Sequence, residues 1–322
     1  MEKVLIMMAT YNGEKYIRKQ LDSIINQTYT NWNLIIQDDG STDETMSIIE
    51  SYVKKDDRII LKENTNSEHG PYVNFYTLIN YSQKLEGYDL YMFCDQDDIW
   101  LPNKIEHFLN NPNLHEKKPY LVYADMKLID ENDKVVAPSL NALWKTDGKN
   151  RYSIFFSTKT LGCNMIINKS LFMLIPEIDI NEKTKILAHD GFILRLCAVY
   201  GKYEFDRTAL MCYRRHGGNV TSDQQQYNTT LKRVIKRICN LRDLSEKHSI
   251  TYIRTLISID YIRKTRLNEK QKKFLDSIEY AIKKGGVYTL IFTIKHHIVW
   301  GKTIENTSRR LILLLGMYRK YL

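Results

Sequence analysis

The sequence has few cysteines and no regular spacing between them. Its 322 residues include Cys94, Cys163, Cys197, Cys212 and Cys239, an odd number, and no two of these form a C-x-x-C pair. The pattern argues against a disulfide framework and against a structural zinc site. It is typical of a protein that works in a reducing cytosol.

Long apolar runs are also scarce. Val4–Ala9 is apolar but too short for the apolar region of a secretory signal, and it leads into a turn at Asn12-Gly13. Val287–Trp300 is interrupted by a lysine and two histidines at 295–297, short of the roughly 18 apolar residues that a membrane span needs. We therefore expect a cytoplasmic protein that is either soluble or attached to a membrane surface.

Acidic residues are scarce in the last third of the chain. Residues 223–322 contain 21 Lys or Arg and 8 Asp or Glu, whereas residues 1–222 contain 26 and 30. An acidic body followed by a basic tail predicts chemistry in residues 1–222 and docking to an anionic partner in residues 223–322. The polar stretch 222–228 is the expected boundary, and helices are expected from there to the end.

The body alternates strand-like and helix-like segments, which predicts an α/β fold with a mostly parallel central sheet. Ligands of such sheets bind beyond the carboxyl ends of the strands, where polar clusters stand here. The predicted strands are Val4–Ala9, Asn33–Gln37, Arg58–Leu61, Tyr88–Cys94, Tyr120–Ile129, Gly162–Asn168 and Lys202–Tyr213. Helices are predicted to begin near Ile17, at an S-x-x-E capping box of Ser41 and Glu44, and near Pro71, Pro102 and His189.

Acidic residues follow the apolar strand Tyr88–Cys94 at Asp95, Asp97 and Asp98. Like charges this close repel one another unless a cation compensates them. Carboxylates at a strand end suit Mg²⁺ or Mn²⁺, which leave positions open for phosphate oxygens. The alternative is a solvated acidic turn before the helix at Pro102.

A second polar cluster, Asp38–Asp43, follows the predicted strand Asn33–Gln37. Asp, Gly and Ser are usual turn residues, so a turn with a helix cap explains Gly40 and Ser41. It does not explain paired aspartates at the end of a buried strand. The alternative is a binding site in which a carboxylate accepts the imide N–H of uracil or thymine.

The order of the motifs Ala9–Gly13, Asp38–Asp43 and Asp95–Asp98 closely resembles glycosyltransferase family 2, whose members have the GT-A fold. The resemblance covers roughly residues 1–220 and implies inverting transfer of a sugar from a nucleotide-diphosphate donor. It implies that Asp95 and Asp97, which match the family's D-x-D element, hold Mn²⁺ or Mg²⁺. It also assigns the nucleotide sugar to Thr10, Tyr11, Asn12, Asp38, Asp39, Asp95 and Gln96.

An inverting transfer needs a base that takes the proton of the acceptor hydroxyl as it attacks. In the family this carboxylate begins a helix after the sheet, in an acidic pair written E-D. Here His189 takes the place of the first acid, and Asp190 is assigned as the base. His189 and Trp100 are assigned to the acceptor. Without the resemblance, Asp190 is better explained as a helix cap and Trp100 as a core anchor.

A basic turn, Tyr213–Asn219, follows the last predicted strand. Arg214, Arg215 and His216 are predicted to clamp the donor diphosphate, the alternative being a basic turn on the surface. The turn occupies the place of the family's Q-x-x-R-W motif, which marks processive polysaccharide synthases. The absence of that motif implies that one sugar is added per acceptor.

The run Asp95–Trp100 and the pair His189-Asp190 look most like bacterial rhamnosyltransferases that build cell-wall or capsular polysaccharides. This likeness implies a dTDP-β-L-rhamnose donor. The implied acceptor is a growing glycan or one linked to polyprenyl diphosphate. A UDP-sugar donor, a nucleotidyltransferase and an inactive copy remain as alternatives.

The basic tail interleaves charged pairs such as Lys283-Lys284 with apolar groups at 290–292, 298–300 and 311–315. Basic amphipathic helices with aromatic residues commonly lie on anionic membranes, so we expect attachment to the inner face of the cell membrane. The alternatives are helices that pack on one another or on a second copy of the chain, as in a homodimer. A net charge of +9 also suits a nucleic-acid-binding protein, but no RNP box or zinc finger is present, so no nucleic-acid partner is expected.

Overall fold

The computed structural model describes residues 1–145, 147, 149–157, 161–181, 184–217, 241–301 and 303–322. The strands in these ranges are β1 (Val4–Thr10), β2 (Trp32–Asp38), β3 (Ile59–Lys62), β4 (Leu90–Asp95), β5 (Ile99–Trp100), β6 (Tyr120–Ile129), β7 (Val135–Ala137), β8 (Met165–Asn168) and β9 (Lys202–Arg214). They form one sheet in the order β3-β2-β1-β4-β8-β6-β9-β5, and β7 pairs with β6. The run from β3 to β4 is parallel, and β8 joins it antiparallel. The predicted α/β class is confirmed.

Helices cover both faces of this sheet. Those of the first 217 residues are α1 (Ile17–Ile25), α2 (Thr45–Val53), α3 (Pro71–Ser82), α4 (Lys104–Leu109), α5 (Leu140–Trp144), α6 (Arg151–Phe156), α7 (Lys169–Phe172) and α8 (His189–Tyr200). The C-terminal helices are α9 (Leu241–Arg263), α10 (Glu269–Lys284), α11 (Gly286–Lys295) and α12 (Thr303–Leu315).

Strand β1 shows how the sequence builds two cores. Leu5 and Met7 face one side of the sheet, while Val4, Ile6 and Met8 face the other, and all five are fully buried. Successive side chains of a strand point to opposite faces, so a strand covered on both sides is apolar throughout. One core contains α1 and α2, and the other contains α3, α8 and the C-terminal helices.

The C-terminal helices are packed into the second core. The Trp300 indole N–H donates to the carbonyl oxygen of Phe156 at 2.9 Å, and the Thr255 hydroxyl donates to that of Phe155 at 2.6 Å. Ile298 and Leu313, which the sequence grouped with possible membrane contacts, are fully buried. These two apolar residues therefore pack in the core and do not face a membrane. The boundary expected at 222–228 lies outside the described residues.

The structure corrects two local predictions. Helix α2 begins at Thr45 rather than Ser41, because the Ser41 hydroxyl donates to Asp38 at 2.6 Å and no capping box forms. The last helix ends at Leu315, because Gly316 adopts a left-handed conformation with φ of 63°. Among the described helices, none is both long and apolar enough to cross a bilayer.

Candidate active site

The carboxyl ends of three parallel strands meet at one edge of the sheet. Thr10 at the end of β1 pairs in register with Asp38 of β2, and Ala9 pairs with Asp95 of β4. The three polar motifs, separated by tens of residues in sequence, therefore lie side by side. This is the place where α/β sheets bind their ligands.

A cavity of about 930 Å³ opens at this edge, a volume suited to a small-molecule ligand. The predicted site residues in its lining are Thr10, Tyr11, Asp39, Asp95, Gln96, Asp97, His189, Asp190 and His216. Those outside the lining are Asn12, Asp38, Trp100, Arg214 and Arg215.

Asp95 and Asp97 lie in the lining of the cavity together with His216. The Asp97 carboxylate lies 2.7 Å from His216 Nε2, and an Asp95 oxygen lies within 4.8 Å of ligand atoms of Asp98 and Cys163. Burial, with the charge of Asp97 adding to it, raises the pKa of Asp95 to about 7. A divalent cation would relieve this repulsion, and carboxylate and imidazole donors suit Mn²⁺ or Mg²⁺.

Asp98 has a different position from its two neighbours. It is fully buried, and its carboxyl accepts a hydrogen bond from the Arg214 backbone N–H at 2.9 Å. Burial and the charges of Asp97 and Asp95 raise its pKa well above the ordinary value. Asp98 therefore braces the strand ends, while Asp95 and Asp97 face the cavity.

The other acidic motif is divided between structure and cavity. Asp38 accepts hydrogen bonds from the Thr10 hydroxyl at 2.8 Å and the Ser41 backbone N–H at 2.7 Å, so it fixes the turn. Asp39 lines the cavity and accepts the Gly70 N–H at 2.6 Å. Asn12 also shapes the turn, because its side-chain oxygen accepts the Thr42 N–H at 2.9 Å.

Tyr11 stands at the cavity with 55% of its surface exposed. The Gln96 side chain holds it there, accepting the Tyr11 N–H at 2.9 Å and donating to the Tyr11 carbonyl at 2.8 Å. This clasp requires a glycine beside it, since a Cβ at Gly13 would lie 2.3 Å from the Gln96 oxygen. Gln96 therefore positions an exposed ring.

Asp190 lies in the first turn of α8, facing the cavity. Burial raises the pKa of its carboxyl, while the Gly191 N–H and the charges of Arg254 and Arg195 act in the opposite direction. Burial outweighs the opposing effects and the pKa is raised, so the Asp190 carboxylate is a stronger base than that of an exposed aspartate. A carboxylate with this environment can accept a proton from a ligand hydroxyl.

His189 is a packing residue beneath the base. Its ring centroid lies 4.0 Å from that of Phe75 and 5.0 Å from that of Phe93, and only 6% of the residue is exposed. Burial lowers its pKa to about 3, so the ring is uncharged. A Cβ at Gly162 would lie 2.4 Å from the ring nitrogen, so the ring is held tightly. His189 nevertheless lines the cavity, and its assignment to the acceptor stays a prediction.

Two predicted ligand contacts are core residues in the structure. Trp100 is 2% exposed and packs against the Lys104 ammonium at 3.9 Å, which matches the core-anchor alternative. The Arg214 side chain is fully buried, is paired with Asp133 and donates to the Asp97 carbonyl at 2.7 Å. Arg214 therefore supports the acidic loop. It has no exposed surface with which to clamp a diphosphate.

Trp144 and Arg254 line the cavity but were not predicted. Trp144 ends α5, and Arg254 comes from α9, where its Nε donates to the Ile186 carbonyl at 2.6 Å. The Arg254 guanidinium also lies 5.6 Å from the Tyr72 ring. The sequence gives no signal for Arg254, because it is one of many cations in a basic tail.

The chain matches a known protein family over more than half of its length. The model of glycosyl transferase family 2 matches residues 5–172. The chain belongs to glycosyl transferase family 2. It is 32% identical over 261 residues to the dTDP-rhamnosyl transferase RfbG of Shigella flexneri, covering 79% of this chain and 85% of that one. An uncharacterized glycosyltransferase of Rickettsia prowazekii is 27% identical over 307 residues, covering 90% and 89%.

Similarity to solved structures identifies the fold of this glycosyltransferase. S. aureus TarS 1-349 in complex with UDP-GlcNAc aligns with a TM-score of 0.54 at 16% identity, covering 99% of this chain and 92% of that one. The mannosyltransferase PcManGT of Pyrobaculum calidifontis, in complex with GDP-Man and Mn²⁺, aligns with a TM-score of 0.52 at 14% identity, covering 99% and 87%. The predicted GT-A fold with a helical C-terminal region is confirmed.

Proposed function

We propose that this glycosyltransferase transfers L-rhamnose from dTDP-β-L-rhamnose, with inversion, to a hydroxyl of a lipid-linked or growing bacterial surface glycan. The observation that carries the chemistry is a single cavity with the carboxylates of Asp95 and Asp97 in its lining together with that of Asp190. The 32% identity to a dTDP-rhamnosyl transferase supports the donor. One sugar is added per acceptor.

The residues of the cavity divide the reaction between them. Asp95 and Asp97 would hold Mn²⁺ or Mg²⁺, which would supply positive charge to the leaving diphosphate. His216, whose Nε2 lies 2.7 Å from the Asp97 carboxylate, would lie beside that diphosphate. Asp190 takes the proton of the acceptor hydroxyl while the hydroxyl oxygen forms a bond to C1 of the sugar. The bond from C1 to the diphosphate oxygen breaks on the opposite side, and the configuration at C1 inverts.

The nucleoside would lie beside the exposed face of Tyr11. The ring can stack on the base, and the Asp39 carboxylate, although it already accepts the Gly70 N–H at 2.6 Å, has lone pairs left for the imide N–H of thymine. Thr10 lines the cavity next to Tyr11 and would also contact the nucleoside. The same contacts would suit uracil, which lacks only the methyl group of thymine.

The acceptor would enter on the side of Asp190. The residues that would meet it belong to helices α5 and α9, which contain none of the sequence motifs. Trp144 offers an aromatic face to a sugar ring, and Arg254 offers a positive charge beside the base. A cation there suits a glycan joined to polyprenyl diphosphate. We place this reaction at the inner face of the cell membrane.

The second candidate is the same chemistry with a UDP-sugar, which the TarS complex with UDP-GlcNAc favours. A thermal-shift screen of dTDP-rhamnose, UDP-GlcNAc and GDP-mannose, each with and without Mn²⁺, separates the donors. A ligand at 100 times its dissociation constant stabilises the folded state by about 2.7 kcal/mol. A metal-dependent shift with dTDP-rhamnose alone supports the proposal. A shift with UDP-GlcNAc alone replaces the donor, and no shift with any of them would refute the proposed donor site.

The product decides between donors and stereochemistry. We expect transfer of rhamnose to a glycan acceptor and an α-linked product by NMR of the anomeric proton. A β-linked product would contradict inversion, and the release of dTDP without a glycoside would show hydrolysis instead of transfer.

A further inference from the structure

Helix α11 (Gly286–Lys295) has an apolar face that the chain leaves exposed. Val287, Tyr288, Ile291 and Ile294 are 62%, 43%, 58% and 54% exposed, and we call them the α11 outer face. Their spacing places them on one side of a helix. Thr289 and Thr293, on the opposite side, are fully buried, and Phe292, next to the edge of the face, is 6% exposed and belongs to the core.

Neighbouring helices extend this face. Tyr280 of α10 is 52% exposed and meets the Tyr288 ring edge-on, with 5.0 Å between centroids. Leu315, which is 52% exposed, precedes Gly316, and a Cβ on Gly316 would lie 3.9 Å from the Gly286 nitrogen. Soluble proteins seldom expose adjacent large apolar side chains without a partner.

Basic residues lie at both ends of the α11 outer face. Lys284 ends α10 and Lys295 ends α11, and both are exposed. Arg319 lies against the turn between these helices, since a Cβ on Gly285 would lie 2.6 Å from its Cδ. Residues 280–322 contain eight Lys or Arg and a single acidic residue, Glu305. An apolar centre with a basic rim is complementary to a surface that is anionic outside and apolar inside.

We propose that the α11 outer face docks onto an anionic membrane surface, inserting its apolar side chains among the lipid chains while the rim contacts the headgroups. Such helices bind by apolar burial together with attraction to anionic lipids. Pairing this face with the same face of a second copy would bring two basic rims together, which is unfavourable. The inference extends the proposed function by naming the surface that would meet a lipid-linked acceptor.

Flotation of the full chain with lipid vesicles tests the proposal. We expect binding to phosphatidylcholine vesicles that contain phosphatidylglycerol and weaker binding to phosphatidylcholine alone. Ile291→Glu/Ile294→Glu should reduce binding at least about tenfold. Lys284→Glu/Lys295→Glu should reduce it by roughly fivefold per lysine at low salt, and less at high salt.

Val135→Glu/Val136→Glu is the matched control, because these residues of β7 are exposed to 52% and 53% and lie outside the C-terminal helices. The control should bind vesicles like the parent chain. Equal binding by the parent and the α11 variant, or no vesicle binding by the parent, would overturn the proposal. So would a smaller oligomer for the α11 variant, which would make the face an interface between copies.

The outcome is separable from the proposed reaction. Rhamnose transfer to a water-soluble acceptor analogue should continue in Ile291→Glu/Ile294→Glu, because the altered side chains are outside the cavity lining. Lost vesicle binding with retained transfer supports the docking surface. If the parent chain binds vesicles but transfers no rhamnose, the result contradicts the proposed donor and still supports the docking surface.

Discussion

The carboxyl edge of the sheet gathers acidic side chains around a cavity, whereas the C-terminal helices surround an exposed apolar face with basic ones. Asp95, Asp97 and Asp190 line the cavity, while residues 280–322 contain the single acid Glu305. Carboxylates can hold a cation and take up a proton, and lysines suit an anionic surface. The difference supports the proposal that the reaction and membrane docking use separate surfaces of the chain.

The largest expected effect tests whether the acidic edge holds the base. Asp190→Asn should lower turnover by about 1000-fold, because the amide cannot take the proton of the acceptor hydroxyl. Donor binding should survive, because asparagine has nearly the same size as aspartate and the donor contacts are proposed at other residues. The measurement is the initial rate of rhamnose transfer together with the thermal shift by donor. Asp179→Asn, an exposed acid paired with Lys264, is the control. Near-full turnover in Asp190→Asn would remove Asp190 as the base.

The second prediction concerns the metal. Asp97→Asn should lower the transfer rate by about 100-fold, because one carboxylate fewer holds the cation that stabilises the leaving group. The Mn²⁺-dependent part of the donor thermal shift should disappear. Asp57→Asn, an exposed acid before β3, should change neither quantity. An unaltered Mn²⁺ titration in Asp97→Asn would show that the cation is held by other residues.

The two regions also differ in how far the sequence predicts them. Strand ends and the motifs that follow them are local, so Asp95 and Asp97 could be placed at the carboxyl edge of the sheet from their position after an apolar strand. Asp190 could be assigned only through the family resemblance, because an aspartate at a helix start is otherwise explained as a cap. Trp100 could not be separated from Trp144 this way, because only tertiary packing decides which indole is buried.

In the C-terminal helices, composition predicts a basic amphipathic region but not its orientation. Trp300 and Ile291 are both apolar residues among cations, yet Trp300 is fully buried and Ile291 is 58% exposed. Arg254 could not be distinguished from other cations either. Its role depends on how α9 packs against the loop that carries Ile186, which no short motif encodes.

Arg254 belongs to the basic C-terminal helices but lines the acidic cavity. The third prediction therefore tests whether the C-terminal helices contribute to the reaction. Arg254→Gln should raise the acceptor KM by about tenfold if the guanidinium contacts an anionic group of the acceptor. The acidic limb of the pH profile of kcat/KM should also move to higher pH, because loss of a nearby cation raises the pKa of Asp190.

Arg254→Lys should restore most of both effects. Arg263→Gln, on the same helix but paired with Asp276 and Glu279, is the control and should leave the profile in place. If Arg254→Gln keeps the parent pH profile and acceptor KM, then the C-terminal helices contribute nothing to the reaction beyond packing.

The smallest expected effect is a pH dependence of stability at the acidic edge. The pKa of Asp95 is raised from 3.8 to about 7, first by burial and then by the charge of Asp97. A carboxyl with a raised folded-state pKa favours folding while protonated, so without metal its contribution is lost as pH rises through that window. At pH 8 the parent should melt roughly 2–4 °C lower than Asp95→Asn for each kcal/mol of stability lost. At pH 4 the two proteins should melt at the same temperature. Mn²⁺ should remove the difference at pH 8, because it compensates the ionised pair. Parallel melting profiles for parent and variant from pH 4 to pH 8 would show that Asp95 does not carry this titration.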